Sequence, residues 1–256
     1  MPTRVTLVRS TEPYGLSLGT AAGVAGGGPA HFRVEVPADP HDTGGMHAEL
    51  FALPEREILS DGATLLRGFA RDDIPQLLAD IEIISARSPF RHMIVLTGQR
   101  MSVAMTNAGV GWIADRSGYR YDSIDPETGR PWPAMPNSFR ALAARAATAA
   151  GFPDFTPDGC LINRYAPGSR LTLHQDRNER DFTQPIVSVS LGLPAKFLWG
   201  GGARRDRPRR IPLSSGDVVV WGGQARLSFH GIDTLAAVSD TLTGPCRINL
   251  TFRKAR

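Results

Sequence analysis

The residues best able to do chemistry lie in LHQDRNERD, residues 173 to 181, and in RLSFHGI, residues 226 to 232. His174 and Asp176 stand two apart just before an apolar run, and His230 precedes the turn residue Gly231. Two imidazoles and one carboxylate can hold a divalent metal on one face and leave three coordination positions free. That suits iron-dependent oxygen chemistry with a bidentate co-substrate, and equally zinc-dependent hydrolysis. Spacing alone is weak: His47-Ala48-Glu49 repeats the pattern in a polar segment, and 25 acidic residues in 256 make such pairs common by chance.

A second pattern gives the open positions a use. In CRINLTFR, period-two alternation sends Ile248, Leu250 and Phe252 to one face of a strand and Arg247, Asn249, Thr251 and Arg253 to the other. Arginines on an inward face need acidic partners, because a guanidinium is always charged and costly to bury unpaired. Arg247 and Arg253 are six residues apart, about 20 Å along a strand, and long side chains reaching toward one another leave room for a small dicarboxylate. An exposed face with ordinary surface arginines is the alternative.

These residues need elements to position them. Residues 1 to 45, with GTAAGVAGGGPA and PADPHDTGG, read as a weakly ordered or disordered tail, and Met46 offers an alternative translation start. DDIPQLLADIEIISARSP predicts a helix capped by Asp72 or Asp73, with Pro75 in its first turn and an apolar face of Leu77, Leu78, Ile81 and Ile84. NSFRALAARAATAAG predicts a second helix stopped by Gly151. RHMIVLTG and GWIADRSGYRYDSIDPETGRPWPAMP read as short strands and a long aromatic loop. After Gly151 the texture turns to β. CLINRYAPGSRLTLHQD, PIVSVSLGLPAKFLWGG, IPLSSGDVVVWGG, RLSFHGI and CRINLTFRKA are short β-branched and aromatic runs bounded by turn residues, and they suggest an antiparallel sandwich or jelly roll.

Composition narrows the partners. The formal charge is +4, and GGARRDRPRRIP places Arg204, Arg205, Arg207, Arg209 and Arg210 within seven residues. Such a cluster either attracts a polyanion or is a solvated loop. Two cysteines, Cys160 and Cys246, exclude a disulfide scaffold and fit a reducing cytoplasm. The longest apolar runs fall short of a membrane span.

LINRYAPGSRLTLHQDRNE, PIVSVSLGLPA, GDVVVWGG and CRINLTFR resemble the AlkB family of Fe(II)- and 2-oxoglutarate-dependent dioxygenases, from about residue 46 to the C-terminus. The resemblance implies a mainly β chain with α+β elements: a double-stranded β-helix (jelly roll) over residues 151–256, packed as one unit with a nucleotide-recognition lid and supporting helices over 46–150. It implies His174, Asp176 and His230 as Fe(II) ligands, with Asn163, Tyr165, Arg247, Asn249 and Arg253 around 2-oxoglutarate. Arg247 would hold the distal carboxylate, with Arg253 and Asn163 nearer the metal.

The implied activity uses O2 and removes methyl groups of the 1-methyladenine and 3-methylcytosine type from single-stranded or duplex DNA, and from RNA. The products are formaldehyde, succinate and CO2, with no membrane or protein partner. Substrate contacts would come from Trp112, Tyr119 and Tyr121 of the lid, from Arg204, and from Asn178; packing remains the plainer reading of Trp112 from the residues alone. Asn178 departs from the bacterial pattern, which has an aspartate there facing the exocyclic amino group of the base. An amide can accept the same hydrogen bond without the charge, Glu179 can partly compensate, and an Asn178→Asp change is expected to shift methyladenine against methylcytosine turnover. The alternatives are the same oxidative chemistry on a small molecule or protein side chain, and a non-catalytic nucleic-acid-binding β-domain.

Overall fold

A computed structural model describes residues 55–237 and 243–256, so the N-terminal segment, Met46 and His47-Ala48-Glu49 lie outside the described residues. The chain opens with β1 (Arg56–Ser60), β2 (Ala63–Leu66) and α1 (Ile74–Arg87). It continues through β3 (Arg91–Ile94), β4 (Arg100–Gly109), β5 (Gly111–Asp115), β6 (Gly118–Asp122) and α2 (Asn137–Ala149). Eight strands follow: β7 (Gly159–Tyr165), β8 (Leu171–His174), β9 (Ile186–Gly192), β10 (Ala195–Trp199), β11 (Arg209–Leu213), β12 (Val218–Trp221), β13 (His230–Ile232) and β14 (Arg247–Arg253).

The strands form a jelly roll of two facing sheets, and all strand pairs are antiparallel, as the short turn-bounded runs predict. The major sheet has the order β1-β2-β12-β9-β14-β7-β4-β3, the minor sheet β11-β10-β13-β8, and β5 and β6 form a separate hairpin. Strands from before residue 150 thus complete both edges of the sheet whose centre is β9, β14 and β7.

Alternation in these central strands separates a greasy face from a chemical one. Ile248, Leu250 and Phe252 join Val187, Val189 and Leu191 of β9 and Phe139, Leu142 and Ala146 of α2 in one core. Phe139 meets Phe252 edge-on at 5.6 Å. The other side of the same strands faces the minor sheet, where Phe197, Trp199 and Trp221 build a second core. β14 is buried along its whole length, which excludes the exposed-face reading of its arginines.

Both helices stand where predicted, with one local difference. Leu77, Ile81 and Ile84 are buried and Leu78 is partly so. However, Asp73 makes no side-chain cap, because the chain enters α1 through a 3₁₀ turn at Arg71–Asp73 and Asp73 already has helical dihedrals. A capping residue is normally extended; Asp73 instead pairs with Arg145 of α2 at 2.8 Å. Gly151 ends α2 at φ +95°, in the left-handed region that favours glycine. Among the described residues, no helix is long and apolar enough to cross a membrane.

RLSFHGI is not a strand throughout. Only His230–Ile232 pairs, and the preceding residues turn through a 3₁₀ segment at Gly223–Ala225. Arg226, read as part of the strand, is buried and turned inward, where backbone carbonyls and a carboxylate claim its donors.

Candidate active site

β8 and β13 are neighbours in the minor sheet, and their register sets His230 opposite His174. Gly231 permits this approach, since a Cβ there would come within 2.5 Å of the Leu171 carbonyl oxygen. The two imidazole centroids are 4.4 Å apart. Each ring turns Nδ1 to a backbone carbonyl two residues earlier, Thr172 at 2.9 Å and Ser228 at 3.0 Å. A carbonyl only accepts, so Nδ1 carries the proton and Nε2 keeps its lone pair. Both Nε2 atoms lie 3.7 Å from the Asp176 carboxylate, and one donor atom from each residue falls within 4.8 Å of the others.

The surroundings hold these donors in their ligating states. Enclosure in the cavity and the neighbouring His230 pull the His174 imidazole down to about 4, so it is neutral at pH 7. Burial pushes the Asp176 carboxyl up, but Arg253 and His230 outweigh it and keep the group well below the usual carboxylate range. Arg253 donates to Asp176 Oδ2 from Nη2 at 2.7 Å and from Nε at 3.2 Å.

Behind Asp176 runs a buried ionic network. Arg253 Nε lies 3.3 Å from Glu179 Oε1. Glu179 also accepts from Arg226 Nη2 at 3.0 Å and from the Tyr121 hydroxyl at 2.5 Å, and Arg226 Nη1 donates to the Asp176 carbonyl at 2.7 Å. This corrects the expectation that Glu179 compensates at the base: its carboxylate is spent inside the protein. Arg226 went unnoticed in the sequence reading. No local pattern signalled it, because Arg226 enters the site from the end of the 3₁₀ turn at Gly223–Ala225 and not from the strand that carries His230.

The other end of the cavity is different. Arg247 is 1% exposed, donates from Nη2 to Ser190 Oγ at 3.0 Å, and stacks over Tyr165 at 5.0 Å, but its Nε and Nη1 are buried without a hydrogen-bond partner among the described residues. Asn163 donates to Asn249 at 3.3 Å, and its own amide oxygen has no partner among the described residues. Asn249 is fixed in turn by Ser188 at 2.8 Å and Thr251 at 2.9 Å. A buried guanidinium with two idle nitrogens and no facing acid among the described residues is a seat for a carboxylate. The cavity that joins the two ends has a volume of about 600 Å³ and includes Asn163, Tyr165, Asn249 and all three candidate ligands in its lining. The donor set and the orphaned arginine therefore fit a divalent metal and a dicarboxylate.

The remaining predicted residues sit at the mouth. Trp112 of β5 stacks on Tyr119 of β6 with centroids 5.6 Å apart and planes 15° from parallel. The Trp112 indole donates to Asn178 Oδ1 at 3.2 Å. Trp112, Tyr119, Asn178 and Arg204 line the cavity, whereas Tyr121 is outside the lining and points to Glu179. The arginine cluster divides: Arg209 pairs with Glu57 and Arg210 with Asp233, while Arg204 lies over Phe229 at 6.0 Å.

A jelly roll that brings two histidines, an aspartate and an unpaired arginine around one cavity is the framework of a metal- and oxo-acid-dependent oxygenase. The profile of the 2OG-Fe(II) oxygenase superfamily matches residues 62–253. The chain is 58% identical over 205 residues to the Alpha-ketoglutarate-dependent dioxygenase AlkB of Escherichia coli (strain K12), covering 80% of this chain and 95% of that protein. It is 32% identical over 181 residues to the DNA N(6)-methyladenine demethylase ALKBH1C of Arabidopsis thaliana, covering 60% of this chain and 39% of that one. The solved structure of OsALKBH1 aligns with a TM-score of 0.69 at 29% identity, over 78% of this chain and 99% of that one. The chain belongs to the AlkB family of 2OG-Fe(II) oxygenases, and Fe(II), 2-oxoglutarate and O2 are its metal and co-substrates.

Proposed function

We propose that this protein is an oxidative demethylase of alkylated bases in DNA, and in RNA, working in the cytoplasm and releasing formaldehyde, succinate and CO2. The observation that carries the reading is the division of one cavity into a three-donor end and an end where the buried Arg247 has two nitrogens without a partner among the described residues. When bound, the metal with 2-oxoglutarate and O2 supplies the oxidising chemistry, placing one oxygen atom on the N-methyl carbon while the keto acid becomes succinate and CO2. The resulting N-hydroxymethyl group breaks down to formaldehyde and the free base.

In this reading the protein's own task is orientation. His174, Asp176 and His230 hold the metal, and the backbone carbonyls of Thr172 and Ser228 keep the imidazoles in the ligating tautomer. Arg247 takes the far carboxylate of the co-substrate, and Asn163 and Asn249 flank it. Arg253 secures Asp176 and contributes positive charge at the metal end. Trp112 and Tyr119 offer aromatic faces to a base that has left the stack, which an alkylated pairing edge makes easier. Arg204 and the exposed arginines after it lie where phosphates would pass, so affinity for oligonucleotides should fall steeply with salt.

The test is to give the protein Fe(II), 2-oxoglutarate, ascorbate and a single-stranded oligonucleotide carrying one 3-methylcytosine, and to read the base by mass spectrometry. Restoration of cytosine is expected. Succinate formation without restoration would overturn the nucleic-acid reading in favour of another substrate.

A further inference from the structure

Between β8 and β9 the chain passes through residues 175–185 without strand or helix, yet this stretch carries Asp176. Buried main chain needs hydrogen-bond partners, and where no ladder runs they must come from elsewhere. Here one guanidinium supplies them. Arg226 donates from Nη1 to the Asp176 carbonyl at 2.7 Å and from Nε to the Gln184 carbonyl at 3.0 Å, so it grips the stretch near both ends. Its Nη2 donates to Glu179 Oε2 at 3.0 Å, and the Phe182 ring lies 5.2 Å from the guanidinium. All three nitrogens are spent on residues 176–184, and the side chain is 3% exposed.

The neighbouring residues tie the same two segments together. Gln175 donates from Nε2 to the Leu227 carbonyl at 2.6 Å, and the Ser228 carbonyl faces His230 Nδ1 at 3.0 Å. Residues 226–228 therefore hold the main chain at Asp176 and the ring of His230 from one short segment. Asp176 is fixed twice, by different means. Arg253 takes its carboxylate, Arg226 takes its carbonyl, and Glu179 sits between the two guanidiniums, 3.3 Å from Arg253 and 3.0 Å from Arg226. Two arginines and two carboxylates leave this buried array neutral, which offsets the cost of taking its charges out of water. Without Arg226, the Glu179 carboxylate would keep only Arg253 and Tyr121 and would compete with Asp176 for Arg253.

We propose that Arg226 is a positioning residue for the metal: it stands outside the cavity lining, yet it sets the place of the Asp176 carboxylate and with it the metal affinity. Groups that support a metal ligand from behind typically account for about tenfold to a hundredfold in affinity. The inference rests on the metal site and not on which substrate is oxidised. The co-substrate end is built separately, from Asn163 of β7 and from Arg247 and Asn249 of β14.

The experiment titrates Co(II), a spectroscopic replacement for iron, into the metal-free protein. Calorimetry reads the affinity, and the visible absorption of the loaded protein reads the ligand geometry. Arg226→Met should bind Co(II) about tenfold to a hundredfold more weakly and show a shifted visible band. Arg226→Lys keeps a charge beside Glu179, but an ammonium cannot span the same acceptors, so it should lose about fivefold; it carries the decision where Arg226→Met does not fold. Phe139→Leu, which loosens the core between α2 and β14, is the control: it should lower the melting temperature and leave both Co(II) readouts as in wild type. Affinities within about twofold of wild type and an unmoved band in the Arg226 variants overturn this inference and leave the demethylase reading standing. An equal loss in Phe139→Leu overturns it too, because the effect would then be general loosening. Failure of the wild-type protein to bind Co(II) overturns both.

Discussion

Arg247 and Arg253 are the same residue type on the same face of the same strand, yet their surroundings are opposite. Arg253 is met by two carboxylates, Asp176 at 2.7 Å and Glu179 at 3.3 Å. Arg247 has a serine hydroxyl, an aromatic ring, and two nitrogens with no hydrogen-bond partner among the described residues. Their charges respond accordingly: burial lowers the pKa of Arg247, while at Arg253 the facing Asp176 and Glu179 outweigh burial and raise it. An arginine neutralised from within positions other groups; an arginine left with idle donors in a cavity is built for something that arrives.

Substitutions can break this contrast, and their effects should be graded. Asp176→Ala removes a metal ligand and Arg253's main partner together, and should take turnover below detection in the formaldehyde assay. Turnover near wild type would mean that the metal site is elsewhere. Arg253→Met leaves the Asp176 and Glu179 carboxylates buried with less compensation and should cost about 3–5 kcal/mol in urea unfolding. Tyr121→Phe removes one hydrogen bond to Glu179 and should cost about 1 kcal/mol, with turnover largely kept. Arg247→Met removes a buried charge that has no acid partner among the described residues, so stability should stay level or rise slightly. A loss as large as that of Arg253→Met would erase the contrast.

The pH dependence has a definite sign. The folded His174 resists protonation down to about 4, whereas the unfolded imidazole takes a proton near 6.5. The unfolded state therefore binds more protons between these values, and metal-free stability should decline as pH falls from about 6.5 to about 4. Asp176, held well below 3.8, adds to the loss at still lower pH. Urea midpoints measured across this range check the direction.

Much of this arrangement was legible in the chain. Strict alternation in CRINLTFR placed two arginines on one inward face, because a strand's period is two and needs no tertiary information. His174, Asp176 and His230 were recognisable as donors, although only the register of β8 against β13 brings them together. What escaped depended on distant partners. Arg226 finds Glu179 47 positions away, and the orientation of the Asn178 amide is set by Trp112 66 positions away. Local propensity misread Asp73 as a cap because a 3₁₀ turn leads into α1 and gives Asp73 helical dihedrals, and its carboxylate pairs instead with Arg145, 72 positions on.

The most direct measurement of what this cavity is for is calorimetric titration of 2-oxoglutarate into the protein loaded with Mn(II) in place of iron. Wild type should bind one equivalent, and Arg247→Met, with its fold and metal binding intact, should bind at least about a hundredfold more weakly, as expected for the loss of a buried charge-assisted pair. Equal affinity in the two proteins would contradict the assignment of Arg247 as the seat of the dicarboxylate.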